Sequence, residues 1–107
     1  MDEHERRAVA GDDEIERRLR LGKHLELIPD LLDAVNAEPL RERRSKHLML
    51  ALYRCGRQVD ALREFNRLRD SLGEVGLEPS VEATELDRAI ARDGPELNWT
   101  GPDSIAY

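Results

Sequence analysis

A group of cationic side chains in the middle of the chain offers the clearest chemistry for binding. The run 41–47 reads Arg-Glu-Arg-Arg-Ser-Lys-His, and a tyrosine and a further arginine follow within two helical turns. Guanidinium and ammonium groups bind carboxylates through charge-assisted hydrogen bonds. The pattern therefore indicates a groove that clasps an acidic peptide segment. Its candidate residues are Arg43, Lys46, Tyr53 and Arg54.

The same run has a plainer interpretation as a solvated helix face. The chain carries 23 Asp and Glu residues, and exposed cations usually pair with such neighbours at little gain in stability. Cations at the start of a helix also oppose the helix dipole, so their placement calls for compensation. The sequence leaves both interpretations open.

Residue patterns that carry catalysis or bind metals are not found. There is no Gly-rich phosphate loop, no nucleophile elbow and no His-Glu-x-x-His pair. The three histidines and Cys55 lack the spacing of zinc ligands, and Cys55 fits a small core position. We therefore predict no enzyme, no catalytic residue, no cofactor and no metal site.

Composition and charge narrow the class of protein. Charged residues make up 37% of the chain and aromatic residues 4%, and runs of Val, Ile and Thr are missing, which is typical of helices and not of β-sheets. A net charge of −6 argues against direct nucleic-acid binding by this segment. A single cysteine and the lack of a long apolar run predict a cytoplasmic protein that makes no membrane contact.

Two glycines reveal an internal repeat that positions the cationic residues. Gly22 and Gly56 lie 34 residues apart, the tetratricopeptide period, in which each unit is a helix, a glycine turn and a second helix. Ala61 and Phe65 stand at the template's small and aromatic positions of the second unit, and Pro39 ends the first. This template places the four candidate groove residues on the concave side of the third helix.

Hydrophobic periodicity divides the chain into five helices. Helix 1 runs from about Glu5 to Leu21 with Gly11 inside it, or starts only at Asp12 as an N-cap. Pro29 is expected to kink helix 2 or to delay its first turn. The other predicted helices are about 24–37, 41–55, 59–72 and 80–92, the last capped by Ser80.

The fold class that follows is all-α, with tetratricopeptide-like stacked hairpins in a right-handed superhelix. We expect a helical repeat domain over residues 1–94, with hairpins at about 5–37 and 41–72 and an extra helix at about 80–92. Residues 95–107 are expected to form an irregular tail.

Several motifs in order resemble the bacterial transcriptional activator domain, over roughly residues 14–99. They are Glu-Pro-Leu-Arg-Glu-Arg at 38–43, Leu-Met-Leu-Ala-Leu-Tyr-Arg-Cys-Gly-Arg-Gln at 48–58, Gly-Leu-Glu-Pro-Ser at 76–80 and Asp-Gly-Pro-Glu-Leu at 93–97. In antibiotic-pathway regulators of actinomycete type, this helical domain follows a winged-helix DNA-binding domain. The resemblance implies transcriptional regulation, with the repeat domain in self-association or contact with other domains.

This chain departs from that family pattern at its start. It has neither a winged helix nor the opening helices of the repeat domain, so DNA binding carries over to no residue here. The chain is therefore either a fragment of a larger regulator or a short free-standing relative.

An incomplete repeat array is expected to leave an apolar flank, because each repeat buries its face against its neighbours. We expect self-association, or contact with another chain, through this flank. Its predicted residues are Ala8, Ile15, Leu25 and Ile28. Near the other end, Leu97 and Trp99 either fold back over helix 5 or belong to a contact with a neighbouring domain.

These observations predict a protein–protein interaction and oligomerisation module of a bacterial transcriptional regulator, without a DNA-binding domain of its own. The alternative is a free-standing tetratricopeptide-type adaptor that binds an acidic peptide segment in the candidate groove. A ligand-sensing module is a third class, but no residue points to a small molecule.

Overall fold

Five α-helices and one short 3₁₀ turn make up the computed structural model, which describes residues 2–101. The helices are α1 (Glu3–Arg20), α2 (His24–Ala37), α3 (Glu42–Arg54), α4 (Gln58–Glu74) and α5 (Val81–Ala91), and the 3₁₀ turn spans Pro95–Leu97. Successive helices pack against each other, and α3 also contacts α1 and α5. The described residues contain no strand, so the predicted all-α fold class is confirmed.

The two glycine turns are structurally equivalent. Gly22 has φ +82° and Gly56 has φ +80°, both in the left-handed region that glycine enters without steric cost. After each glycine the next amide reaches back into the helix, from Lys23 to the Arg18 carbonyl and from Arg57 to the Leu52 carbonyl. This is the Schellman arrangement, and it makes the 34-residue repeat a repeat of structure.

The core lies between the helices of the two hairpins and α5. Leu27, Leu31, Leu48, Leu68 and Leu86 are all completely or almost completely buried there. Ala61 is also buried, and Phe65 lies beside the same core. Both thus occupy the positions that the repeat template predicts.

Helix starts and ends differ little from the predicted bounds. The α1 helix is continuous through Gly11, so Asp12 is not an N-cap, and Asp2 caps the helix instead. Ser80 caps α5 as predicted, with its Oγ accepting from the Ala83 amide at 3.1 Å. The α4 helix runs on to Glu74, two residues beyond the predicted end.

Of the two expected effects of Pro29, a delayed first turn is not found, because α2 already begins at His24. A proline at this point removes only the hydrogen bond to the Leu25 carbonyl. Both residues are exposed, so water can satisfy that carbonyl.

The outer faces at the two ends of the repeat array are mostly polar. The exposed side of α1 carries Arg6, Glu14 and Arg17, and that of α5 carries Glu85 and Arg88. Polar outer faces are what terminal repeats need in water. Among the described residues, no helix is both long and apolar enough to cross a bilayer.

Candidate interaction surface

Helix α3 is buried on almost every side and leaves one stripe open. Its residues 44, 45 and 47–52 are buried, as expected for a central helix packed between α2 and α4. The open stripe, as we call it, consists of the partly exposed residues that remain: Glu42, Arg43, Lys46, Tyr53 and Arg54. The four candidate groove residues therefore do share one side of α3, but their surroundings differ.

The amino-terminal arginines of α3 pair with carboxylates on α1. The Arg43 guanidinium lies 2.6 Å from Asp13 and 3.6 Å from Glu16. Arg44 donates through Nε to Asp12 Oδ1 at 2.9 Å, and both side chains are buried. The ion-paired interpretation of the basic run is thus the arrangement in the structure, and Arg43 is already compensated.

Arg41 extends this network across the loop before α3. It donates to both Glu5 carboxylate oxygens, at 2.9 and 2.8 Å, and to Glu38 at 2.6 Å. Hydrogen bonds from His4 and Arg41 lower the pKa of Glu38 to about 2. The Arg41 hydrogen bonds also hold the pKa of Glu5 below its ordinary value. The loop cations therefore connect α1 to the start of the second hairpin.

Lys46 stands apart from the arginines around it. It is partly exposed on the open stripe, and within residues 2–101 it makes no ion pair. An acidic group that approaches the stripe would therefore meet one ammonium group without an ion pair among the described residues, and not the cluster of three cations that the sequence predicts.

Tyr53 and Arg54 contact the chain's own C-terminal segment. We call residues 94–99 the C-terminal strap. Arg54 Nε donates to the Leu97 carbonyl at 2.7 Å, and the Tyr53 hydroxyl donates to Asp93, the residue before the strap. Burial lowers the pKa of Arg54, and the hydrogen bond to Asp93 raises that of Tyr53. The strap thus covers the carboxyl end of the open stripe.

The strap is anchored by two side chains that alternate along it. Leu97 is completely buried in the core. The Trp99 ring lies against Gly22 and meets His24 edge-on, with the ring centroids 6.1 Å apart. Its Nε1 donates to the Arg20 carbonyl at 3.3 Å. Trp99 therefore covers the turn between α1 and α2, and not helix 5 as the first of the two interpretations had it.

His24 connects the strap to α3. Its Nε2 lies 3.2 Å from the Arg54 guanidinium. Burial, and secondarily the Arg54 charge, lower the pKa of His24 from 6.5 to about 4. The ring is therefore neutral at physiological pH and can accept a hydrogen bond from Arg54.

The predicted self-association flank is only partly exposed. Ala8 and Ile28 are buried, with 8% and 5% of their surfaces exposed, and Ile15 is half-buried against the core. They face inward because the helices of the first hairpin and α3 cover them. Leu25 alone projects outward, with 72% of its surface exposed, near the partly exposed Leu21.

Other reactive groups do not assemble into a site. Cys55 is half-buried, and desolvation raises the pKa of its thiol, which fits a packing role. Within residues 2–101, no cluster of His, Cys, Asp and Glu could hold a metal ion.

Sequence reasoning missed two features of this surface. Asp12 emerges as the buried partner of Arg44, although it reads in the sequence as a possible N-cap. The strap's contact with Arg54 was also missed, since it joins residues 43 positions apart. The available signal was the apolar pair Leu97 and Trp99 in an otherwise polar segment.

Comparison with known proteins places this geometry in context. Residues 2–91 match the family model described as the bacterial transcriptional activator domain. The chain is 39% identical over 90 residues to regulatory protein DnrI of Streptomyces peucetius, which covers 83% of this chain and 33% of that protein. It is 42% identical over 80 residues to regulatory protein AfsR of Streptomyces griseus, covering 74% of this chain and 8% of that protein.

A third relative is transcriptional regulator RedD of Streptomyces coelicolor, 41% identical over 94 residues, with 87% of this chain and 27% of that protein covered. The chain therefore spans about a third or less of the length of these relatives. The strap lies beyond the last residue that matches the family model.

Proposed function

Because the chain belongs to the bacterial transcriptional activator domain family, we propose that it serves a transcriptional regulator as a module for protein–protein contact. The family is one of transcriptional-regulator domains and not of enzymes. We further propose that the module works in the cytoplasm and that it does not itself bind nucleic acid, in keeping with its net charge of −6.

The observation that carries this proposal is the open stripe of α3. In the repeat template one side of the third helix lies on the concave surface, and there α3 leaves Lys46 partly exposed and without an ion pair in the described residues. Ion pairs to α1 hold the neighbouring arginines in place. A rigid helix with one accessible cation is suited to contact a protein surface that carries a carboxylate.

A photo-crosslinking experiment tests the proposal in cells that make the protein. A photoreactive amino acid at position 46 is expected to crosslink to another domain of the regulator or to a second copy, identified by mass spectrometry. The matched control places the same group at Arg17, on the outer face of α1. Equal crosslinking from both positions, or none from position 46, would contradict the proposal.

A free-standing adaptor for an acidic peptide segment is the second candidate function. Lys46, which makes no ion pair within residues 2–101, favours it, whereas Arg43 is compensated by Asp13, and Tyr53 and Arg54 hold the strap. With one available cation, affinity for an isolated acidic peptide should be modest, since single exposed ion pairs contribute about 0–1 kcal/mol. Titration of a Glu-rich peptide into wild type and into Lys46→Gln measures this affinity and the part of it that Lys46 contributes.

Self-association remains part of the proposal, but the exposed apolar surface of the flank is smaller than the sequence predicts. Of the four predicted flank residues only Leu25 offers a large exposed apolar surface. Leu21, Leu25 and Leu32 are the exposed leucines on or beside α2, with 48%, 72% and 45% of their surfaces exposed. Three leucine side chains are well below the area of a stable interface. A flank contact is therefore expected to be weak unless another part of the chain adds to it.

A further inference from the structure

The C-terminal strap, which includes the 3₁₀ turn Pro95–Leu97, is held by one main-chain hydrogen bond and by two side chains. Peptide grooves combine the same two kinds of contact, main-chain hydrogen bonds for affinity and side-chain pockets for specificity. Here Arg54 binds the main-chain carbonyl of Leu97, the Leu97 side chain enters the core, and Trp99 packs on the next turn. The strap thus binds as an intramolecular ligand, connected to its receptor by the chain itself. We call its receptor the socket, formed by Gly22, His24 and Arg54.

The tether itself is short and contains one unfavourable backbone conformation. Asp93 adopts φ +56°, a left-handed conformation that aspartate enters more readily than most residues but less readily than glycine. Opening the chain at Asp93 relieves this cost and breaks the two hydrogen bonds by which the Asp93 and Gly94 amides cap α5. Strained hinges of this kind favour exchange of a terminal segment between copies.

We propose that the strap and socket form a self-recognition pair through which two copies of this chain associate by exchanging straps. A second copy is the partner because the strap is the ligand that the socket is known to fit. Exchange replaces each intramolecular contact with an identical intermolecular one, so dimerisation has a low cost in contacts. This inference goes beyond the proposed function, because it concerns the socket and not the open stripe around Lys46.

The closed monomer competes with exchange in a predictable way. A strap tethered by a few residues has an effective concentration of the order of millimolar at its own socket. Dimers are therefore expected at high protein concentration, or where the strap's own socket is damaged. Trp99 remains 40% exposed and its hydrogen bond is long, so the closed strap can be released.

Complementation between two full-length variants tests this proposal. The donor keeps its strap but has a damaged socket, Gly22→Ala with Arg54→Met. The acceptor has an intact socket but no anchors, Leu97→Ala with Trp99→Ala. Because Trp99 is the only tryptophan of the chain, emission from the mixture reports on the donor strap alone. Circular dichroism first establishes that each variant is helical.

On mixing, the donor emission is expected to shift to shorter wavelength, and light scattering should show a heterodimer. An acceptor that also carries Arg54→Met is the control, and its affinity should be about tenfold lower, the loss of one hydrogen bond to a charged group. If the acceptor proves unfolded, Trp99→Ala alone replaces it, and a peptide of residues 94–101 replaces an unfolded donor.

Unchanged emission with a folded acceptor at several hundred micromolar overturns strap exchange. So does equal binding by the acceptor with and without Arg54. Either result leaves the open stripe around Lys46 untouched, because the mixture contains no regulator partner. Conversely, failure of the position-46 crosslink would leave strap exchange standing, so the two failures can be told apart.

Discussion

Arg44 of α3 donates through Nε to Asp12 Oδ1 of α1 at 2.9 Å, and the two side chains are only 11% and 3% exposed. The pair joins residues 32 positions apart and is flanked by the main-chain contact from Arg44 to the Ala34 carbonyl. The sequence of the basic run suggests ligand binding. In the structure its arginines mainly hold the first hairpin against the second.

Removal of Asp12 should be costly, because it leaves Arg44 buried without its main counter-ion. We expect Asp12→Ala to lower the free energy of unfolding by about 3 kcal/mol, the low end for a broken buried pair since Glu38 stays 3.6 Å away. Asp13→Ala, which breaks the exposed pair to Arg43, should cost less than about 1 kcal/mol. Urea unfolding measures the free energy of unfolding of both variants. Equal decreases in the two variants would contradict a structural role for the buried pair.

The two equivalent glycine turns allow a matched pair of substitutions. Gly22→Ala and Gly56→Ala both place a side chain at φ near +80° and should each cost about 1–2 kcal/mol. A methyl group at position 22 would also lie about 3.0 Å from the Trp99 ring, whereas at position 56 it meets nothing within 4 Å.

We therefore expect Gly22→Ala alone to release Trp99 and move its fluorescence emission to longer wavelength. Gly56→Ala should be destabilised with unchanged emission. Identical emission spectra in the two variants would mean that Trp99 does not pack against the first turn in solution.

The stability of the fold should fall between pH 7 and pH 5. His24 has a pKa of about 4 in the folded chain against 6.5 when unfolded, and burial also lowers the pKa of His47. Between these values the unfolded chain binds more protons, so the free energy of unfolding rises with pH across this window. Below about pH 4 the His24 contribution levels off, and protonation of carboxylates such as Glu38 takes over.

Urea unfolding at pH 7 and pH 5 measures this effect. The His24 share should be about 1–3 kcal/mol, and His24→Gln, which cannot be protonated, should reduce the difference by that amount. An identical pH dependence in wild type and His24→Gln would show that the ring is not held neutral against Arg54.

The predicted flank can be tested by comparing two residues of α2. Leu25→Glu should leave the stability within about 0.5 kcal/mol, because the side chain is exposed, whereas Ile28→Ala should cost about 2–4 kcal/mol. Light scattering at high micromolar concentration adds a second readout. A dimer that Leu25→Glu dissociates would assign self-association to the flank, and one that survives would assign it to another surface such as the strap.

The sequence predicts the local features of this fold well, because they follow from nearest neighbours along the chain. The glycine turns and the Ser80 cap depend on residues within one or two helical turns, and the burial of Ala61 follows from its place in the 34-residue repeat. The bounds of α2 are predicted to the residue for the same reason.

The candidate site is predicted less completely, since its contacts depend on how helices cross. The period places Arg43, Lys46, Tyr53 and Arg54 on one side of α3. It does not reveal that Asp13 compensates Arg43 or that the Leu97 carbonyl binds Arg54. Those partners lie 30 and 43 positions away along the chain, and only packing brings them together.

The central claim is that the open stripe of α3 is a protein contact surface, and affinity for the crosslinked partner tests it most directly. The account predicts that Lys46→Glu weakens binding of that partner by at least about tenfold, as like charges meet, while Arg17→Glu on the outer face of α1 changes it little. Equal affinity of wild type and Lys46→Glu, with both chains folded, would contradict the account.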